Sequence, residues 1–244
     1  MLLDNNWKCV GRGQEAESFV GETQEFTGIG GIIRSQKPLR VIKRVSWDKS
    51  NPYIGNKVFS RNLTAYLIDE FFRTTGKYKS PHIPLPLGSF DYGYYYEFAE
   101  GNESFQWSSE IEGWHSFVDR FNLFGFEVNS DTSDNDGGGC GKNVIYRDNW
   151  AKSKEYWENN KLNSGWQRID FGDMSLPFRI NYFRNEIENR KEEIIESIGR
   201  KNFRIAFLSA EYSINPRTLT SLDELTGLVK EFRQEKILEL SQKD

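Results

Sequence analysis

Three short stretches of this chain carry residues whose types and spacing suit phosphate and metal chemistry. In VIKRV (41–45), Lys43 stands in the middle of an apolar strand pattern. A lysine that faces a cleft holds phosphates as a compact cation. It needs a carboxylate to orient it, and Glu70 on the following predicted helix is a candidate. In IDFGD (169–173), Asp170 follows an apolar strand residue and precedes Phe171–Gly172. A carboxylate at a strand end, released by a glycine, suits Mg²⁺, which takes hard oxygen ligands from one or two side chains plus phosphates. In GRGQEAESFV (11–20), Gly11 and Gly13 sit beside a strand, where backbone N–H groups can approach phosphates. Taken singly, each stretch has an ordinary reading: a solvated lysine, a turn aspartate, a hairpin turn. No Walker loop occurs, and GGGCGKN (137–143) fails its spacing.

The elements that must position these residues follow from periodicity and punctuation. Strands are predicted at 7–10, 18–22 and 39–47, with a helix over 60–75 stopped by Gly76. LPLGSF (85–90) and GYYYEFAE (93–100) read as two strands around the Asp91–Tyr92 turn. A helix is predicted over 110–124 through Trp114, Phe117, Val118, Phe121 and Leu123. After a glycine-rich loop at 130–142, NVIYR (143–147) and WQRIDF (166–171) read as a strand pair. Beyond Pro177 the pattern is helical, with Phe183, Ile187, Ile194 and Ile198 in one stripe. A last helix starts near Ser221, where Ser221 and Glu224 fit a capping box, and carries Leu222, Leu225, Val229 and Phe232. Strands with one helix, then mostly helices, make an α+β chain with the two types segregated.

Composition narrows the classes. The 244 residues are enough for one domain, or one domain in two lobes, and 37 % hydrophobic with 15 % aromatic residues argues for a packed core. Net charge is −4 and no long Lys/Arg run exists, so a nucleic-acid partner is not expected. Cys9 and Cys140 form no Cys-x-x-Cys pair, and with His82 and His115 they are read as structural. MLLDNNWK reads as neither signal peptide nor anchor, and no stretch approaches 18 apolar residues, so a cytoplasmic protein without membrane contact is expected.

Taken in order, the motifs resemble those of the protein-kinase superfamily. GRGQEAESFV resembles the Gly-rich loop G-x-G-x-x-G-x-V, with Gly11, Gly13 and Val20 present, Val20 two residues late and Ala16 in place of the third glycine. VIK (41–43) resembles V-A-I-K, and SPHIPLP (80–86), after the helix with Glu70, resembles the loop that follows the family's αC helix. YYYEFAEG (94–101) resembles the strand-to-hinge segment, VNSD (128–131) resembles V-H-R-D, NVIY (143–146) the strand after the catalytic loop, and IDFG (169–172) D-F-G. The resemblance covers about residues 7–175.

The resemblance implies a bilobal fold: an antiparallel β N-lobe (1–96), a hinge (97–101) and a reduced, mainly helical C-lobe (102–244). It implies an ATP- and Mg-dependent phosphotransferase, an atypical Ser/Thr protein kinase that transfers the γ-phosphate to an acceptor hydroxyl, with ATP and Mg as cofactors and a protein or small-molecule acceptor. Lys43 would hold the α/β-phosphates and pair with Glu70; Asp170 and Asn143 would bind Mg²⁺; Asp131 would accept or orient the acceptor hydroxyl. Tyr96 would be the gatekeeper, while Glu97 and Ala99 would offer backbone groups to adenine. Three departures stand out. Asp131 and Asn143 are separated by residues 132–142, where the family has H-R-D-x-x-x-x-N, so Asp134 and Asp136 compete as the base. Asn129 and Ser130 replace the His and Arg, and no A-P-E follows. A pseudokinase serving as a binding module, and a nucleotidyltransferase or small-molecule kinase on the same fold, are the alternatives.

Overall fold

The computed structural model describes residues 7–12, 16–47, 50–51, 53–75, 83–98, 114–126, 150–152, 166–168, 178–217 and 220–242. The chain is α+β and divides into two compact units, one of Met1–Thr64, Leu85–Phe98 and Arg204–Asp244, the other of Ala65–Pro84 and Ala99–Phe203. Among the described residues no helix is long and apolar enough to cross a membrane.

The first unit is built on a five-stranded antiparallel sheet. Its strands are β1 (Lys8–Arg12), β2 (Ala16–Phe26), β3 (Ile33–Ser46), β4 (Pro86–Phe90) and β5 (Gly93–Glu97), in the order β1-β2-β3-β5-β4. Helix α1 (Ile54–Thr74) lies between β3 and β4 in sequence and contributes its first half, to Thr64, to this unit. Strand β3 carries β-branched residues on both sides of its pleat, and Val41 and Ile42, one on each side, are both buried. The register sets Phe19, Lys43 and Tyr95 side by side across three strands, and Val20, Ile42 and Tyr96 side by side one residue along. Successive side chains in a strand point to opposite faces, so these two rows lie on opposite faces of the sheet. The start of α1 is held to the β4–β5 turn by the Gly55 N–H, which donates to Asp91 O at 3.3 Å. A Cβ at Gly55 would run into the Phe90 carbonyl oxygen, so the helix can begin there only on glycine.

The C-terminal helical segments complete this unit. A helical run, α3–α4 in chain order, comprises α3 (Ile180–Asn189) and α4 (Lys191–Ile214); α4 is interrupted at Gly199, whose φ of 83° and ψ of 156° are non-helical. The part of α4 from Arg204 onward and α5 (Leu222–Gln242) belong with the sheet, and α5 packs on β3 and β4. Leu225, Val229, Phe232 and Ile237 make its buried stripe. The same face also buries Arg233, 1 % exposed. Its guanidinium donates to five backbone carbonyls: Nε to Leu87 at 2.8 Å, Nη1 to Ile29 at 2.8 Å and Gly31 at 3.0 Å, Nη2 to Phe26 at 2.8 Å and Thr27 at 2.6 Å. A guanidinium has five N–H donors, and here all are used. Burial pushes its pKa down to about 10.

The second unit holds the latter half of α1, α2 (Trp114–Leu123), α3, α4 as far as Phe203, and the short antiparallel pair β6 (Trp150–Lys152) and β7 (Trp166–Arg168). A chain of phenylalanine contacts forms its core: Phe72–Phe124 at 5.8 Å, Phe124–Phe183 at 6.2 Å, Phe183–Phe178 at 5.7 Å, Phe178–Phe126 at 4.6 Å and Phe126–Phe121 at 5.7 Å between centroids. The spacing of Phe117 and Phe121, both fully buried, explains why α2 forms where periodicity placed it.

Residues 166–168 pair with 150–152, in a register that sets Trp150 opposite Arg168 and Lys152 opposite Trp166; NVIYR (143–147), the expected partner of 166–171, lies outside the described residues. Three expectations need correction. Helix α1 begins six residues before 60, at Ile54, because the β4–β5 turn supplies a carbonyl for its first turn. Glu224 does not close a capping box: its carboxylate takes both Nε and Nη2 of Arg204, each at 2.7 Å. Residues 204–244, placed in the C-lobe on sequence, belong to the unit that contains the sheet, because Arg233 and the apolar stripe of α5 bind there.

Candidate functional site

A cavity of about 830 Å³ opens within the first unit, on the face of the sheet that carries Lys43. Glu17 and Phe19 of β2 and Lys43 and Val45 of β3 supply one wall. They do so because Phe19 stands opposite Lys43, and Glu17 opposite Val45, in the antiparallel ladder. The β4–β5 corner, Ser89 to Tyr92, supplies a second wall, and Thr27 and Gly28 from the β2–β3 connection a third. Asn56, in the first turn of α1, also lines it and accepts a hydrogen bond from the Ser89 hydroxyl.

Lys43 is the cation of this cavity. Its ammonium lies 4.9 Å from the ring centroid of Phe90, 5.3 Å from Trp7 and 5.8 Å from Tyr95. Ring faces are negative, so three of them partly replace the water that a buried ammonium loses. Replacement is incomplete, and burial lowers the Lys43 pKa from its ordinary 10.5. Tyr95, beside it, has its hydroxyl pKa raised, first by burial and then by the Glu25 carboxylate. Glu17 and Asp91 place two carboxylates on the same cavity as one ammonium. The lining can therefore receive a flat ring against Phe19 or Phe90, an anionic group at Lys43, and a cation or hydrogen-bond donor at Glu17 or Asp91.

The residues named from sequence are distributed as follows. Gly11 lies inside β1, opposite Ser18 and beside an irregularity that skips Val10. Val20 pairs with Ile42 and so faces away from Lys43. Tyr96 is also on that opposite face, buried and stacked on Tyr94 at 5.3 Å, so the β5 residue beside Lys43 is Tyr95 instead. Glu97 ends β5 opposite Val41, and its N–H is given to Leu85 O at 2.9 Å. Glu70 belongs to the second unit, where its carboxylate takes the Arg73 guanidinium. Gly13, Ala99, Asp131, Asp134, Asp136, Asn143 and Asp170 lie outside the described residues. Among the described residues no group of three or more His, Cys, Asp or Glu side chains is placed to hold a metal ion.

Sequence reasoning passed over Glu17, Phe19, Ser89, Phe90 and Trp7. The signal that finds Phe19 and Glu17 is the hairpin register: once β2 and β3 are paired around Lys43, they follow by alternation. Trp7 and Phe90 come from opposite ends of the sheet and leave no local signal.

No family model and no curated protein matches the chain. Among solved structures it is similar to the Rio2 kinase–ADP/Mg²⁺–phosphoaspartate complex from Chaetomium thermophilum, at 11 % identity and a TM-score of 0.35, over 95 % of this chain and 72 % of that one. That likeness is too loose to assign a fold, and the chemistry of the cavity rests on its own residues.

Proposed function

We propose that this chain binds ATP with magnesium at the Lys43 cavity and acts as a kinase-like phosphotransferase toward a hydroxyl on a protein or small molecule. The observation that carries the reading is the position of Lys43: mid-strand, half-buried, its ammonium on a cavity of about 830 Å³. Ligand sites of drug or cofactor size run roughly 300–1,000 Å³ and mix apolar walls with a few polar groups. Supporting it is the order of elements, a three-stranded meander, a helix and a two-stranded hairpin, which the motif resemblance requires. With Glu17 and Asp91 on the lining, a bare polyphosphate meets two like charges, so the nucleotide enters with its divalent cation. Asp170 and Asn143 are the metal ligands that the resemblance supplies, and Asp131, with Asp134 and Asp136 as alternatives, the residue that orients the acceptor hydroxyl. Bound magnesium would neutralise charge on the transferred phosphate, and a positioned base contributes roughly 10²–10⁴-fold.

A second reading, a nucleotide-binding or interaction module without transfer, is favoured by one observation: the Glu70 carboxylate is engaged by Arg73 on its own helix. The test separates the two. ATP·Mg²⁺ at about 100 times its Kd should stabilise the wild type by about 2.7 kcal/mol, a rise of roughly 5–11 °C in Tm. Lys43→Met should show no such rise while melting cooperatively. Incubation with γ-labelled and α-labelled ATP then distinguishes phosphoryl transfer, nucleotidyl transfer and binding alone. An unchanged Tm for the wild type at millimolar ATP·Mg²⁺ would sink the nucleotide reading.

A further inference from the structure

The cavity wall formed by Thr27 and Gly28 is held in place from a distance. These residues belong to the β2–β3 connection, which turns over the sheet to reach β4. Two reciprocal bonds join it there: the Ser89 N–H donates to Thr27 O at 3.0 Å, and the Thr27 hydroxyl donates to Ser89 O at 2.6 Å. Gly28 approaches so closely, at φ 124°, that a Cβ on it would stand 2.7 Å from the Ser89 nitrogen. Three of the five carbonyls bound by Arg233 belong to this connection, those of Thr27, Ile29 and Gly31; Phe26 ends β2 just before it, and Leu87 belongs to β4. A Cβ on Gly30, at φ 92°, would stand 2.8 Å from the Lys230 Cα, so the connection also lies directly on the α5 backbone one turn before Arg233.

We infer that Arg233 is a positioning residue for the ligand cavity, a latch that clamps the β2–β3 connection between α5 and β4 and so fixes the wall opposite Lys43. This rests on the cavity being the ligand site. A rigid guanidinium fork spans carbonyls on two different segments at once, which a point cation on a flexible stem does not. Loosening the fork releases Thr27 and Gly28 while leaving the Lys43 side chain and its β3 strand as they are. A wall that is present but displaced by about 1 Å is enough to spoil a site.

The experiment uses the full chain with Arg233→Lys, which keeps the charge and loses the fork, and Gly30→Ala, which pushes the connection off Lys230 without touching Arg233. Hydrogen exchange read by mass spectrometry reports the amides of 24–34 and 86–90, and calorimetric titration with ATP·Mg²⁺ reports affinity, both at a temperature where each variant is folded. The latch predicts faster exchange confined to those two segments and at least about tenfold weaker binding in both variants, with exchange in 41–45 unchanged. Faster exchange with wild-type affinity overturns the positioning role, and unchanged exchange at 24–34 in Arg233→Lys overturns the latch itself. If the wild type does not bind ATP·Mg²⁺, the nucleotide reading fails, and the positioning claim falls with it while the exchange data still decide whether the latch exists.

Discussion

Replacing Arg233 by methionine should be among the most destabilising changes available in the first unit. Methionine keeps the stem's volume and its contacts with the α5 stripe but withdraws all five donors. Of the five carbonyls, Thr27 O keeps the Ser89 N–H, so those of Phe26, Ile29, Gly31 and Leu87 lose the guanidinium. Three of these bonds are buried, those to Phe26, Ile29 and Leu87, whereas Gly31 is exposed; at about 1–3 kcal/mol for each buried polar group left unsatisfied, the upper range is roughly 3–9 kcal/mol. Two effects reduce it. Water can follow the departing guanidinium, and the fold no longer has to keep a cation in a site that holds its pKa down to about 10. The expected loss is therefore about 3–5 kcal/mol, the range seen when one side of a buried charged hydrogen-bonded set is removed. For a chain of this size that is a fall of about 6–20 °C in Tm. Urea unfolding followed by circular dichroism should show a lower midpoint at an unchanged m-value. A loss below about 1 kcal/mol would mean that the carbonyls find water as readily as they found Arg233, and the account of this helix–sheet joint would be wrong.

Two further outcomes follow from polar groups elsewhere in the first unit. The Ser60 hydroxyl is fully buried in α1 and has no hydrogen-bond partner among the described residues, so Ser60→Ala should raise stability by about 0.5–1.5 kcal/mol in the same urea assay; a loss would show that the hydroxyl is satisfied after all. Burial lowers the Lys43 pKa, so the unfolded chain binds that proton more readily than the fold does. Relative to Lys43→Met, the wild type should then gain stability as pH rises through the folded pKa towards 10.5, with a constant difference at lower pH; an opposite slope between pH 7 and 10 would refute the desolvation account.

Much of the sheet was legible because its strands carry strong local signals. The Asp91–Tyr92 turn between two aromatic runs, and the apolar run around Lys43, placed β4, β5 and the end of β3 within a few residues. The start of α1 was missed because its first turn, around Gly55 and Asn56, is made by a tertiary contact with Asp91 rather than by propensity. The cavity was half legible. Lys43 announces itself as a cation in an apolar strand, whereas its ring partners Trp7, Phe90 and Tyr95 converge only once the strand order is known. Tyr96 was named from its place in the motif resemblance, whereas a single residue of register decides which face of β5 meets Lys43, and it sets Tyr95 there. Arg233 gave no warning. In EFRQEK it reads as one more charge on a solvated helix face, and only the five carbonyls brought together by the end of β2, the β2–β3 connection and β4 give it another meaning.

The distance along the chain between Arg233 and those carbonyls has a consequence for how the protein comes into being. Phe26 and Arg233 are 207 residues apart. At a synthesis rate of about 5–20 residues per second, the β2–β3 connection emerges roughly 10–40 s before the residue that satisfies it. During that interval the nascent sheet has strands to pair but no clamp, and it depends on the cell's holding factors or on its own β1–β3 meander to stay in register. Such a long-range closing contact also belongs to the slow class of folding events. Chains that stop short of residue 233 should therefore collect as unfolded or aggregated material, even though every strand of the sheet is already present in them.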